Sequence, residues 1–208
     1  MKHRASGSRP AISWALSLCA AGLLGLLLPA STAAAQNLVV TPVVEKKLTQ
    51  LPAGPLFWRV ENFPTLAQAQ AAAGPTALAA EVAGKVWLFT LGPKGGSSPG
   101  GSKVAEIGPV PLPTASEYLL RINRAGGPPG AKTPVHTHPG SEAFYVLTGR
   151  LGQKTPHGVM HVEAGQSMPG HGPDTPMEVF SGGTTDLDQL VMFVVDATKP
   201  FSSPAQMP

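Results

Sequence analysis

At 208 residues, with 24 glycines, 23 prolines and one cysteine, the chain is long enough for one well-buried domain and too rich in turn formers for a helical bundle. Its formal charge is +3, but Lys2, Arg4 and Arg9 lie in the first 35 residues with no acid beside them, which leaves twelve basic against twelve acidic residues in the rest; nothing in the charge argues for nucleic acid or an acidic surface as partner. Cys19 is the one cysteine, so disulfides, zinc–cysteine sites and iron–sulfur clusters are excluded, and a thiol nucleophile goes with the leader.

Residues 1–35 read as a secretory signal peptide: a positive start, the apolar stretch AISWALSLCAAGLLGLLLP, then the small residues STAAAQ, with a cut fitting after Ala35. The alternative is a retained anchor, since the apolar stretch is about long enough to span a bilayer. Cleavage predicts an exported protein, periplasmic or extracellular, with no stable membrane insertion.

Residues 36–112 form an N-terminal extension expected to pack on the domain that follows. PLFWRVENF (55–63) reads as a strand. TLAQAQAAAG (65–74) is alanine-rich, with Thr65 placed to cap a short helix and Gly74 to end it. EVAGKVWLFTL (81–91) reads as a hairpin turning near Ala83-Gly84, and GPKGGSSPGGS (92–102) as an exposed irregular loop. That loop lacks the lysine–serine/threonine ending of a P-loop, and no helix pattern follows it.

From Glu117 the pattern is strand and turn almost throughout: EYLLRINRA (117–125), PVHTH, EAFYVLTG, a hairpin of RLGQKT and VMHVEAG around PHG, then PMEVFS and LDQLVMFVVDA (187–197). Repeated short strands predict an all-β barrel or sandwich at 113–200, with 201–208 left as a flexible tail.

The chemistry concentrates in HTHPGSE. In a strand, residues two apart share a face, so His136 and His138 present two imidazoles on one side. Pro139-Gly140-Ser141 turns the chain, and Glu142 opens the next strand, where an antiparallel neighbour brings its carboxylate beside the rings. Two imidazoles and a carboxylate on one face of an ion leave the other face open, a donor set suited to one divalent metal: iron, manganese, nickel, copper or zinc. Open positions let a metal polarise a small-molecule substrate, bind oxygen or activate water. Phe144 shares the glutamate's face and is expected to line the cavity, with Tyr145 on the opposite face. Arg121 and Asn123, on one face of the preceding strand, could meet a substrate. His157 is expected in the PHG turn and His161 facing outward.

Gly130, five residues, His136, one, His138, three, Glu142, six, Gly149 is the spacing of the first cupin motif, and residues 117–197 resemble a cupin domain. The resemblance implies a double-sheet jelly-roll barrel with His136, His138 and Glu142 as metal ligands inside it, and pairing of exposed barrel strands into a homodimer. It also leaves the function open, because cupins include dioxygenases, isomerases, decarboxylases and non-catalytic binding proteins. An oxygen-dependent or hydrolytic reaction on a small organic substrate is one reading; a module that binds a small ligand or sequesters metal is the alternative. The second cupin motif is less faithful. AGQS (164–167) and PGHGPDTP are present, but the position where the family has a histidine falls on Met177. Three readings stay open: Met177 ligates through its thioether, which favours copper; His171 substitutes; or the site has three protein ligands and Met177 is core.

Overall fold

The structure, a computed structural model, describes residues 36–208, so the expected signal peptide and Cys19 lie outside the described residues. The chain enters on β1 (Val39–Leu48), then runs through β2 (Phe57–Phe63), α1 (Leu66–Ala72), β3 (Ala77–Val82), β4 (Lys85–Gly92) and β5 (Ser102–Ile107). Eight further strands follow in succession: β6 (Tyr118–Gly127), β7 (His136–Thr137), β8 (Gly140–Thr148), β9 (Arg150–Thr155), β10 (Gly158–Glu163), β11 (Ser167–Pro169), β12 (Glu178–Ser181) and β13 (Leu187–Asp196). A last short strand, β14 (Ser203–Pro204), lies on β7.

The eight strands pair as a long hairpin wound on itself. The first pairs with the last (β6 with β13), the second with the seventh (β7 with β12, through the His136–Met177 bridge), the third with the sixth (β8 with β11) and the fourth with the fifth (β9 with β10). Lateral pairing of β13 with β8 and of β12 with β9 then gathers them into two facing sheets. This is the jelly-roll barrel that the cupin resemblance implies. Gly149 turns between β8 and β9 at φ 72°, and a Cβ there would stand 2.5 Å from the Asp186 carbonyl oxygen, so the motif needs a glycine at this point for both its backbone conformation and its space.

The extension builds two things. β1 adds to the barrel itself as the edge strand beside β6. β3, β4, β2 and β5 form a separate four-stranded sheet that covers the outer face of the barrel: Trp58, Trp87, Phe89 and Leu91 share one core with Leu120 and Ile122 of β6 and Leu190, Met192 and Val194 of β13. A second core, with Phe144, Val146, Leu151, Val179, Val191 and Phe193, lines the inside of the barrel. β13 is therefore buried on both faces, which explains why LVMFVV is apolar without alternation. Helix α1 is capped as the sequence predicts, Gln68 N donating to Thr65 Oγ1 at 3.3 Å, and its Ala69 packs with Phe63 and Leu88 on the covering sheet.

Two expectations change. The glycine-rich loop after β4 is anchored rather than freely solvated: Ser98 is buried, its N–H and hydroxyl donating to Glu61 at 2.8 and 2.7 Å, while Arg59 reaches the Gly95 carbonyl at 3.2 Å. The alternating glycines and serines carry no trace of this, because the anchoring carboxylate lies 37 residues earlier. Residues 201–208, expected as a free tail, cross back over the barrel: β14 pairs with β7 and Ala205 N donates to the Val135 carbonyl.

Candidate metal centre

Strand geometry brings the motif residues to one end of the barrel. His136 lies on β7, His138 in the turn after it, and Glu142 at the start of β8. The His136 and His138 rings stand 4.9 Å apart, edge to face, and His138 Nε2 lies 3.9 Å from Glu142 Oε2. His136 Nδ1 is 2.8 Å from the Pro134 carbonyl, and His138 Nδ1 is 2.6 Å from the Phe201 carbonyl. A carbonyl only accepts, so each Nδ1 is the donor and Nε2 is the ring atom left for a ligand bond. Backbone acceptors that fix the tautomer in this way are the usual outer support of a metal-binding histidine.

Electrostatics agree with that reading. Burial holds the His138 imidazole at about 4, against the opposing bond from Phe201, with His136 and Arg121 lowering it further; the ring is neutral, as a ligand must be. Burial pushes the Glu142 carboxyl up to about 8, partly offset by the hydrogen bond from Gln153 Nε2 at 2.7 Å. A fully buried carboxyl with no cation beside it is costly to ionise, and a divalent ion would reverse the cost. The 3.9 Å gap between His138 Nε2 and Glu142 Oε2 is one that ligand bonds of about 2.0–2.2 Å can span. Among the described residues, no group of three or more His, Cys, Asp or Glu side chains stands close enough together to hold a metal ion without adjustment; His136 is half-buried, with its ring beside that of His138. Gly170 packs against this carboxylate, where a Cβ would come within 2.8 Å of Glu142 Cγ.

Met177 sits directly opposite His136, the two residues exchanging backbone hydrogen bonds of 3.0 and 2.9 Å, so their side chains share a face. Its sulfur takes a contact from Gln153 Nε2 at 3.6 Å. His171 is not brought to the site; its ring lies 5.4 Å from that of His157, and neither lines the cavity. Gln153 was not foreseen. It is buried between Glu142 and Met177, and its Oε1 has no partner. Strand parity held the signal, because Leu151, two residues earlier on β9, packs inward.

The histidines and Glu142 open on a cavity of about 380 Å³, walled mostly by apolar groups including Phe144, Val179, Val191 and Phe193. Phe144 lines it as expected; Tyr145 faces the covering sheet, its ring 5.9 Å from Trp87. Asn123 also lines it. Arg121 does not: it donates to Asn123 Oδ1 at 3.0 Å, lies 3.6 Å from Glu45 and stacks over Phe201 at 4.5 Å. His161 faces out against Phe180, and Glu178 pairs with Lys132 at 2.9 Å.

No family model and no curated protein matches this chain. Solved structures to which it is similar include a cupin-like protein from Thermotoga maritima (15% identity, 42% of this chain and 65% of that one, TM-score 0.38). A cupin 2 conserved barrel domain protein from Salinispora arenicola is another (18%, 38% and 65%, TM-score 0.33), as is a DMSP lyase from Ruegeria pomeroyi (18%, 41% and 43%, TM-score 0.36). The chain thus spans less than two thirds of the length of each. The fold rests on the strand order described above.

Proposed function

We propose that this is an exported cupin-type barrel protein that binds one divalent metal through His136, His138 and Glu142 and offers the metal's open side to a small organic molecule in the barrel. The observation that carries this is the orientation of the rings: two backbone carbonyls, one of them 63 residues away in sequence, take the Nδ1 side of both imidazoles, the rings stand 4.9 Å apart, and His138 Nε2 lies 3.9 Å from the buried Glu142 carboxyl. A bound ion would supply Lewis acidity at the cavity's polar end. The chain's own residues would do the rest: Gln153 orients Glu142, the Phe201 carbonyl orients His138, and the apolar wall of Phe144, Val191 and Phe193 excludes water. Gln153 Oε1 and the Met177 thioether are the remaining donors in reach of Glu142's surroundings. An oxygenase or hydrolase-type reaction is the catalytic form of this reading.

A second reading, a non-catalytic module for a ligand or for metal, is favoured by one observation. Among the described residues, the three candidate ligands are the only ionisable side chains lining the cavity, so none of these residues offers a separate proton carrier beside a substrate. Elemental analysis of the protein purified from its native compartment tests the common core of both. Roughly one metal ion per chain is expected, with affinity lowered at least about 100-fold in His136→Ala/His138→Ala. A metal-free protein whose double variant melts at the same temperature with or without added zinc, as the parent does, would remove the site. Oxygen uptake or hydrolysis by the metal-loaded protein then separates the two forms.

A further inference from the structure

Inside the barrel, on the wall formed by β13, one side chain is out of keeping with its neighbours. Gln189 shares the inward face of β13 with Val191, Phe193 and Val195, which belong to the barrel core. It stands opposite Ala125 on one side and Val146 on the other. It is 0% exposed, lines the cavity, and neither its Nε2 nor its Oε1 has a hydrogen-bond partner. Orphaned buried amides are rare in folded proteins, because a polar atom taken out of water without a partner loses its hydrogen bonds and gains none. Leucine has nearly the same size and would remove that cost. A carboxamide offers two donor hydrogens and an acceptor in one plane; Asn123 on β6 brings a second one to the cavity, but its Oδ1 is already taken by Arg121 Nε.

The surroundings narrow what could satisfy it. Among the described residues the lining contains no lysine or arginine, and Arg121 is already engaged by Asn123, Glu45 and the face of Phe201. An anionic group at this depth would have no countercharge, whereas an uncharged group that both donates and accepts would pair fully with Gln189. Between Gln189 and the candidate metal centre the register of β13 places Val191, flanked by Phe144 of β8 and Asn123 of β6, and then Phe193 opposite Glu142. At about 380 Å³ the space is near the small end of ligand pockets.

We infer that the barrel cavity binds a small, mostly apolar organic molecule carrying an uncharged amide, hydroxyl or similar donor–acceptor group, and that Gln189 is the residue that selects it. This rests on the reading of the cavity as a ligand site next to the metal, and it names the class of ligand. Water held by Gln189 is the competing occupant.

The test uses the purified full chain, as isolated and after metal removal, with benzamide, benzyl alcohol, toluene and benzoate as probes, their affinities measured by NMR titration. Benzamide and benzyl alcohol are expected to bind at least about tenfold more tightly than toluene, and in the metal-free protein more tightly than benzoate as well, because a site built to hydrogen-bond a group rejects the analogue lacking it. The Gln189 side-chain amide signals should shift with both. In Gln189→Leu the preference for benzamide over toluene should vanish or reverse, while the melting temperature stays equal or rises. Equal binding of toluene and benzamide by the parent, an unchanged preference in Gln189→Leu, no binding of any probe, or a marked loss of stability in Gln189→Leu would each overturn the inference; the last would make Gln189 structural. Metal content is read on the same samples. Selectivity lost with metal retained refutes this inference alone, and selectivity retained with no metal refutes the metal reading alone.

Discussion

Glu61 of the covering sheet is a carboxylate with no solvent exposure, and burial by itself would raise its pKa. The hydroxyl and N–H of Ser98 and the guanidinium of Arg59 outweigh that and hold the carboxyl below its ordinary 4.5. A carboxyl whose folded pKa is depressed stabilises the fold above its unfolded value, and that contribution is lost as pH falls through the folded value. Glu61→Gln is therefore expected to cost about 1–3 kcal/mol at pH 7 and to flatten the fall in stability below pH 4.5; urea titrations of both proteins at pH 7 and in the acid limb check it. Gly170 has the opposite character, no charge and no room. A Cβ there would meet the Glu142 carbonyl oxygen at 2.7 Å and its Cγ at 2.8 Å. Gly170→Ala is expected to cost about 1–3 kcal/mol by overpacking and to weaken zinc binding by displacing the carboxylate, read by competition with a chromogenic chelator. Nothing in PGHGPDTP announces this; the glycine is there because β11 leaves the barrel against Glu142, as the Gly170 N–H bond to the Glu142 carbonyl at 2.8 Å shows.

The C-terminal segment is the element on which the candidate centre most depends. Phe201 gives its carbonyl to His138 and its ring to a cluster with His138 and Phe193, centroids 4.8 and 4.9 Å apart. Ending the chain after Pro200 removes both. Zinc affinity is expected to fall by about 10–100-fold, the usual effect of losing outer support for a ligand, whereas Phe201→Ala, which keeps the carbonyl, should fall less. Isothermal titration of the three proteins separates the contributions. The β3–β4 hairpin offers a gain instead. Ala83 and Gly84 adopt φ 52° and 69°, the two positive values of a type I′ turn. Alanine is strained there where asparagine is tolerated, so Ala83→Asn is expected to raise stability by roughly 0.5–1 kcal/mol, measured by thermal melting. Both positive-φ positions were legible as a turn because Ala-Gly interrupts an apolar alternation; the tail was not, because FSSPAQMP has no pattern of its own and is ordered by strand β7.

At the scale of the whole molecule, the covering sheet and the barrel share one core. Trp58 and Trp87 sit at 0% and 1% exposure against Leu120, Ile122, Leu190 and Met192, and the described residues, 36–208, belong to one compact unit. Neither layer can open without exposing the other's apolar face, so unfolding is expected in a single transition. Trp58→Ala is expected to cost about 3–5 kcal/mol and to lower the midpoint followed by tryptophan fluorescence, which reports the covering sheet, and by circular dichroism, which reports all the strands, by the same amount. Two separated midpoints would show the layers to be independent.

The sequence by itself determined seven of the eight strands of the barrel, with β11 (Ser167–Pro169) unforeseen, most of the turns between them, and the placing of His136, His138 and Glu142 at neighbouring strand positions. Those follow from short-range rules: alternation places residues two apart on one face, glycine permits the turn at 149, and a tight turn joins adjacent strands. Only the tertiary structure decided that Gln153 supports Glu142, that Phe201 fixes His138, that Gln189 faces the cavity unpartnered, and that β13 is covered on both sides. Each of these depends on which distant segments meet, and that is set by winding the eight-strand hairpin on itself, not by any local pattern. The same winding put Met177 opposite His136 across strands 41 residues apart, a placement the motif spacing suggested and strand pairing made definite.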